Sequence, residues 1–154
     1  MEYREQWLVP KGEVKLSVFR ADGKIEGRDW IPNLFVNDGM DYLAAFQSTT
    51  PGSVMNHMSV GTVSTAATLT DTLLTGQVGS RQTMATRTAL NNILTEVATF
   101  GGASHGITSL SLREVGVFNA GSGGTMRSRT VYASVTLGDS DILRIDYRTT
   151  VGSR

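Results

Sequence analysis

The stretch Ile107–Leu137, ITSLSLREVGVFNAGSGGTMRSRTVYASVTL, decides how the rest of the chain is read. Two apolar-alternating runs flank a Gly/Ser loop. In the second run Val131, Ala133, Val135 and Leu137 alternate with Thr130, Tyr132, Ser134 and Thr136, the period of a strand with one face in a core. In the first, Leu110 and Leu112 keep one phase while Val115 and Val117 keep the other. The slip at Arg113-Glu114 predicts a β-bulge that re-aims the side chains beyond it. The loop Asn119–Thr125 is too long for a two-residue turn, and its glycines accept the backbone conformations a wider turn needs. The stretch therefore reads as a long antiparallel hairpin.

Working outward, the 154 residues suit one modest core. Residues 1–32 read as an N-terminal arm built on a hairpin. Val14, Leu16 and Val18 alternate with Lys15, Ser17 and Phe19, Asp22-Gly23 supplies the turn, Ile25–Ile31 return, and Pro32 ends regular pairing or sets it at an edge. Such a hairpin either joins the sheet of the domain or reaches to another subunit, with Trp7 and Trp30 as aromatic anchors. Residues 33–154 read as the main domain. A short helix spans 37–47, a strand Met55–Thr62, a long surface loop 64–88, a strand Asn91–Phe100, and a last strand with Leu143, Ile145, Tyr147 and Val151 inward. Short strands separated by turn signals predict a mainly β fold: a β-sandwich, jelly-roll-like arrangements included, with one short helix and the N-terminal β-hairpin arm.

The composition narrows the chemistry. There is no cysteine, so disulfides and thiolate sites are excluded, and the formal net charge of zero speaks against a general basic field for nucleic acid. No apolar run is long enough for a transmembrane helix, and MEYREQWLVPKGE lacks a signal-peptide centre, so a soluble product is expected. Gly121-Ser122-Gly123-Gly124 lacks the Lys-Ser/Thr of a phosphate loop and opens a strand. Asp139-Ser140-Asp141 offers too few carboxylates for Ca²⁺ and reads as a turn. His57 and His105 share no metal-ligand spacing. The sequence thus designates no catalytic, cofactor-binding or metal residue.

Arg113, Glu114, Arg127 and Arg129 form the most informative polar cluster. The hairpin sets Glu114 against Arg127 or Arg129, and Arg–carboxylate pairing is often bidentate. Two roles follow: an intramolecular pair that fixes the hairpin register, or a salt bridge between subunits. With Trp7 and Trp30 these four are the candidate interface residues.

The run REVGVFNAGSGGTMRSRTVY, with Ile107 before it and DILRIDYRTTV after it, resembles a family of small structural proteins of tailed bacteriophages. Those share a pattern of the form I-x-E-x-G-(aliphatic)-F-N … GG-T-M-x-x-R-T. Upstream, Phe35-Val36-Asn37-Asp38-Gly39-Met40 resembles the family's V-N-x-G start, His57-Met58-Ser59-Val60-Gly61-Thr62 its V-G-T-G strand, and Asp71-Thr72-Leu73 its D-T-x-L segment; Val63 replaces the second glycine. The resemblance covers roughly Asn33 to Val151. It implies a non-enzymatic virion component, made in the host bacterial cytoplasm and assembled as a homo-oligomer, by analogy a trimer. The lack of heptads and repeats favours a capsid decoration or cement protein bound to the major capsid protein over a tail-fibre, collar or baseplate component bound to tail proteins. No nucleic-acid or membrane partner is expected. A carbohydrate-binding module, with Tyr3, Trp7 and Trp30 as its aromatics, is the reading from a different class.

Overall fold

A computed structural model describes residues 10–48 and 53–151. Its strands are β1 (Lys11–Phe19), β2 (Ile25–Gly27), β3 (Ile31–Phe35), β4 (His57–Gly61), β5 (Gln77–Thr83), β6 (Thr86–Leu90), β7 (Ile93–Gly101), β8 (Leu112–Phe118), β9 (Met126–Val135) and β10 (Ile142–Thr150); the helix α1 is Asn37–Ser48. All ten strands belong to one antiparallel sheet curled into a half-barrel, in the order β5-β4-β8-β9-β3-β1-β10-β7-β6, with β2 added beside β1.

This is mainly β with one short helix, as expected, but the ladder is continuous where a sandwich would be split into two sheets. The short strand β3 makes the difference. Its Ile31–Asn33 pair with β1 and its Leu34–Phe35 pair with β9, so hydrogen bonding passes from one half of the sheet to the other. Alternation reports that one face of a strand is buried; it does not report whether the opposite wall is a second sheet or the same sheet curled round.

Of the residues 1–32 read as an arm, those of β1, β2 and the start of β3 are strands of this sheet. β1 pairs with β10 along its whole length, and Val14, Leu16 and Val18 lie in the main core. On β10, Leu143, Ile145 and Tyr147 point inward as expected. Val151 does not: the strand ends at Thr150, Thr149 takes the last inward position, and Val151 is exposed. Trp7 and Tyr3 lie outside the described residues.

The region read as a 64–88 loop is only half loop. Its second part forms β5 and β6, whose Thr, Arg, Gln and Gly content hides the strand period. Joined by Met84-Ala85, they occupy opposite ends of the strand order. The Met84 N–H donates to the Asn56 carbonyl and the Ala85 N–H to the Val97 carbonyl, so the chain changes partners within two residues. Its first part, from Thr62 to Gly76, is a closed surface loop whose neck is tied by the Thr62 N–H to the Gly76 carbonyl.

The central hairpin forms as read. β8 and β9 pair with an irregularity between Leu112 and Glu114, the bulge the phase slip predicted. The face assignment on β9 fails in part: Tyr132 is buried, while Val131 is half-buried and Ala133 exposed. Met126 to Thr130 are buried on both faces, since the barrel interior covers one face and α1 with the 62–76 loop the other. Two-sided burial erases the alternation that sequence reading relies on.

Candidate functional site

A second irregularity in the β8–β9 ladder separates the two arginines. Val117 pairs with Ser128 and Phe118 with Met126, leaving Arg127 as the extra residue. It therefore turns into the barrel, whereas Arg129 stays on the opposite face of β9.

Inside the barrel, Arg127 meets Glu96 of β7 with 2.5 Å between Nη2 and Oε2, and its guanidinium lies 4.8 Å from the Tyr147 ring centre. Arg87 of β6 approaches the same carboxylate, Nε to Oε1, at 3.1 Å. Glu96 is fully buried and Arg127 is 3 % exposed. Desolvation disfavours the Arg127 cation, but Glu96 outweighs it, and the guanidinium is held above its ordinary pKa. Burial likewise pushes the Tyr147 phenol up to about 12; its hydroxyl donates to Ser128 Oγ at 2.9 Å.

On the other face, Arg129 donates Nε to Glu114 Oε2 and Nη1 to Asp71 Oδ2, both at 2.8 Å, and Nη2 to the Thr65 carbonyl at 3.0 Å. Of the two pairings considered, Glu114 takes Arg129. Asp71 and Thr65 both sit on the 62–76 loop, so one planar cation pins that loop to the sheet. Asp71 also receives the Thr68 N–H and hydroxyl. Desolvation pushes the Asp71 carboxyl up, but the Thr68 and Arg129 donors together hold it below its ordinary pKa.

The segments around Val36–Met40, Gly61 and Asp71 meet the hairpin at this place. A Cβ on Gly39 would lie 2.1 Å from the Arg127 carbonyl oxygen, so only glycine lets α1 sit this close to β9. A Cβ on Gly61 would lie 2.4 Å from Glu114 Oε1 and 2.8 Å from the Gly76 carbonyl. The Val36 N–H bonds the Arg127 carbonyl, and the Asn37 N–H bonds the Leu69 carbonyl of the loop. Val36, Leu74, Phe118 and Met126 form the small apolar cluster beneath. These residues hold the helix and loop on the hairpin; their geometry is that of a scaffold.

The remaining candidates are placed as follows. Arg113 is half-buried and makes no ion pair among the described residues. Trp30 is half-buried on the outer side of the sheet, with the Arg148 guanidinium 4.2 Å from its ring centre and Arg148 Nε bonded to Glu13 at 2.6 Å. One face of that indole is thus covered by a cation. Asp141 accepts from Arg20, the Ala21 N–H and the Gly138 N–H, which makes it the hub of a turn. His105 Nδ1 accepts the Gly101 N–H at 2.8 Å, and His57 Nε2 lies 3.4 Å from Thr83 Oγ1. The Asn119–Thr125 loop is closed by Arg81, which bonds the Ala120 and Gly123 carbonyls and lies over the Phe118 ring.

Two surface features were not read from the sequence. The first is a cleft of about 270 Å³ between β1–β2 and the end of β9, lined by Leu16, Val18 and Val135 and by two arginines. Arg28 bonds the Ala133 and Ser134 carbonyls, and Arg20 bonds the Thr136 carbonyl, Glu26 and Asp141. These side chains stitch a seam where strand pairing stops.

The second is an apolar row on the outer face. Phe19 stands opposite Ile25 on β2 and Ile142 on β10, and direct pairing puts all three side chains on one face. They are 38 %, 61 % and 45 % exposed. Along β1 and β10 the same face continues with the Arg144–Asp146 pair and Lys15 and, farther on, the Glu13–Arg148 pair. The signal was present: Phe19 falls in the polar phase of β1 and Ile142 in the polar phase of β10.

No protein-family model, curated protein or solved structure matches the chain.

Proposed function

We propose that the protein is a non-enzymatic structural component of a tailed-phage particle, a capsid decoration or cement protein that clamps the shell through surface contacts. The observation that carries this reading is the Ile25–Phe19–Ile142 row: three large apolar side chains aligned across three strands of the sheet and exposed on its outer face. Contiguous exposed apolar surface is a mark of a protein contact. The resemblance to phage structural proteins supplies the class of partner, the major capsid protein. The buried ion pairs support the reading in a second way, because Glu96, Arg127, Glu114 and Arg129 are consumed in holding the scaffold together. A cement protein spreads modest contacts over many joints, and avidity supplies the affinity.

The alternative within the same class is a tail-fibre, collar or baseplate component. Co-sedimentation of the purified chain with undecorated, tail-less capsids and with isolated tails separates the two. Saturable binding to capsids together with a more heat-resistant shell is the expected result. Binding to tails alone would move the protein to the tail, and binding to neither would remove it from the particle.

A further inference from the structure

The two ends of the strand order are treated differently. Edges of sheets are templates for pairing with another chain, and proteins block them with bulges, charges, prolines or covering segments. The β5 edge is blocked. Its ladder to β4 is irregular between Met58 and Val60, and a Cβ on Gly79 would lie 2.6 Å from the His105 carbonyl, which shows the 103–107 segment lying against it.

Among the described residues, the β6 edge carries no bulge, proline or covering segment. Thr86–Leu90 pairs in regular register with β7, contains no proline, and is exposed at every residue. Its one charged side chain, Arg87, is turned to Glu96. Leu90, at 72 % exposed, is the most exposed large apolar side chain among the described residues.

We infer that β6 is a self-pairing edge, and that two copies of this chain join antiparallel along it about a two-fold axis through Thr88. Self-complementarity selects this occupant. Such an axis sets Thr88 opposite its own copy, Thr86 opposite Leu90, and Arg87 opposite Ala89, so no like charges face one another. Thr86 is the cross-strand neighbour of Val97, so each Leu90 is laid onto the partner's Thr86 and Val97. The contact is isologous, the geometry of a closed dimer. It is thus a two-fold contact, where the family resemblance implied a trimer, and it does not rest on the capsid reading.

The test uses the full chain in sedimentation velocity over a concentration series. The wild type is expected to be a reversible dimer. Thr88→Lys and Thr88→Glu each place like charges face to face at the axis and are expected to weaken it by about tenfold or more. An equimolar mixture of the two variants is expected to recover the dimer, which a general loss of stability would not produce. Unchanged melting of each variant alone shows that the fold is intact. A wild type that stays monomeric, or variants that dimerise as well as the wild type, would overturn the inference. So would β6 amides that gain protection from hydrogen exchange only when capsids are added, which would assign the edge to a foreign strand.

Discussion

Replacing Arg129 by alanine is expected to destabilise the fold by about 3–5 kcal/mol, because it strands a buried carboxylate and frees a loop. Glu114 is fully buried, and Arg129 is its one ion-pair partner among the described residues. The same substitution removes the Nη1 bond to Asp71 and the Nη2 bond to Thr65, so the 62–76 loop loses its tie to β9. For a chain of this size the loss corresponds to a fall in melting temperature of roughly 10 °C. Hydrogen exchange is expected to show the loss unevenly, with the 62–76 amides opening first and the β1–β10–β7 ladder last. The double variant Arg129→Met with Glu114→Gln is expected to be more stable than Arg129→Ala, since it leaves no buried charge unpaired. A single-variant loss below about 1 kcal/mol would show that water reaches Glu114 and that the pair is peripheral.

Glu96→Ala is the second large effect. It removes the carboxylate from a cation that is 3 % exposed and lies against the Tyr147 ring. Arg127 has no route to solvent comparable to that of Arg87, whose side chain is 31 % exposed. A cost of about 3–5 kcal/mol is expected. Arg127→Met is expected to cost less, because Glu96 then keeps Arg87. The double variant Glu96→Gln with Arg127→Met is expected to fall short of the sum of its parts by about 1 kcal/mol or more, the signature of direct coupling. Denaturant unfolding of the wild type, Glu96→Gln, Arg127→Met and the double variant measures this. Additive losses would mean that the two residues act independently.

Arg127 and Arg129 illustrate how far the sequence could be read. Both were legible as members of a charged hairpin cluster with Glu114, and the bulge at Arg113-Glu114 was legible from the phase slip in β8. The second bulge, at Arg127, was not. It falls among residues buried on both faces, where no alternation survives to reveal an extra residue, so nothing local separates the sides of the two arginines. Glu96 was missed for a different reason: it shares the phase of Leu94, Ala98 and Phe100 and points with them into the barrel, where only a partner distant in sequence makes a carboxylate tolerable.

The strand content was legible wherever one face is apolar, as in β1, β9 and β10. It was not in β5 and β6, which lie at the ends of the strand order and carry few apolar residues. The curl of the sheet rests on β3, five residues that pair on both sides. No local pattern encodes that.

The molecule combines a charged scaffold, built around Arg127 and Arg129, with an exposed apolar outer row, the proposed contact. The most direct test is capsid co-sedimentation of the double variant Ile25→Glu/Ile142→Glu, with its thermal melt measured alongside. Both positions are exposed and flank Phe19 without facing each other. Capsid binding is expected to be lost while stability stays within about 0.5 kcal/mol of the wild type, as for ordinary surface substitutions. Full binding by this variant would contradict the account and place the contact elsewhere on the molecule.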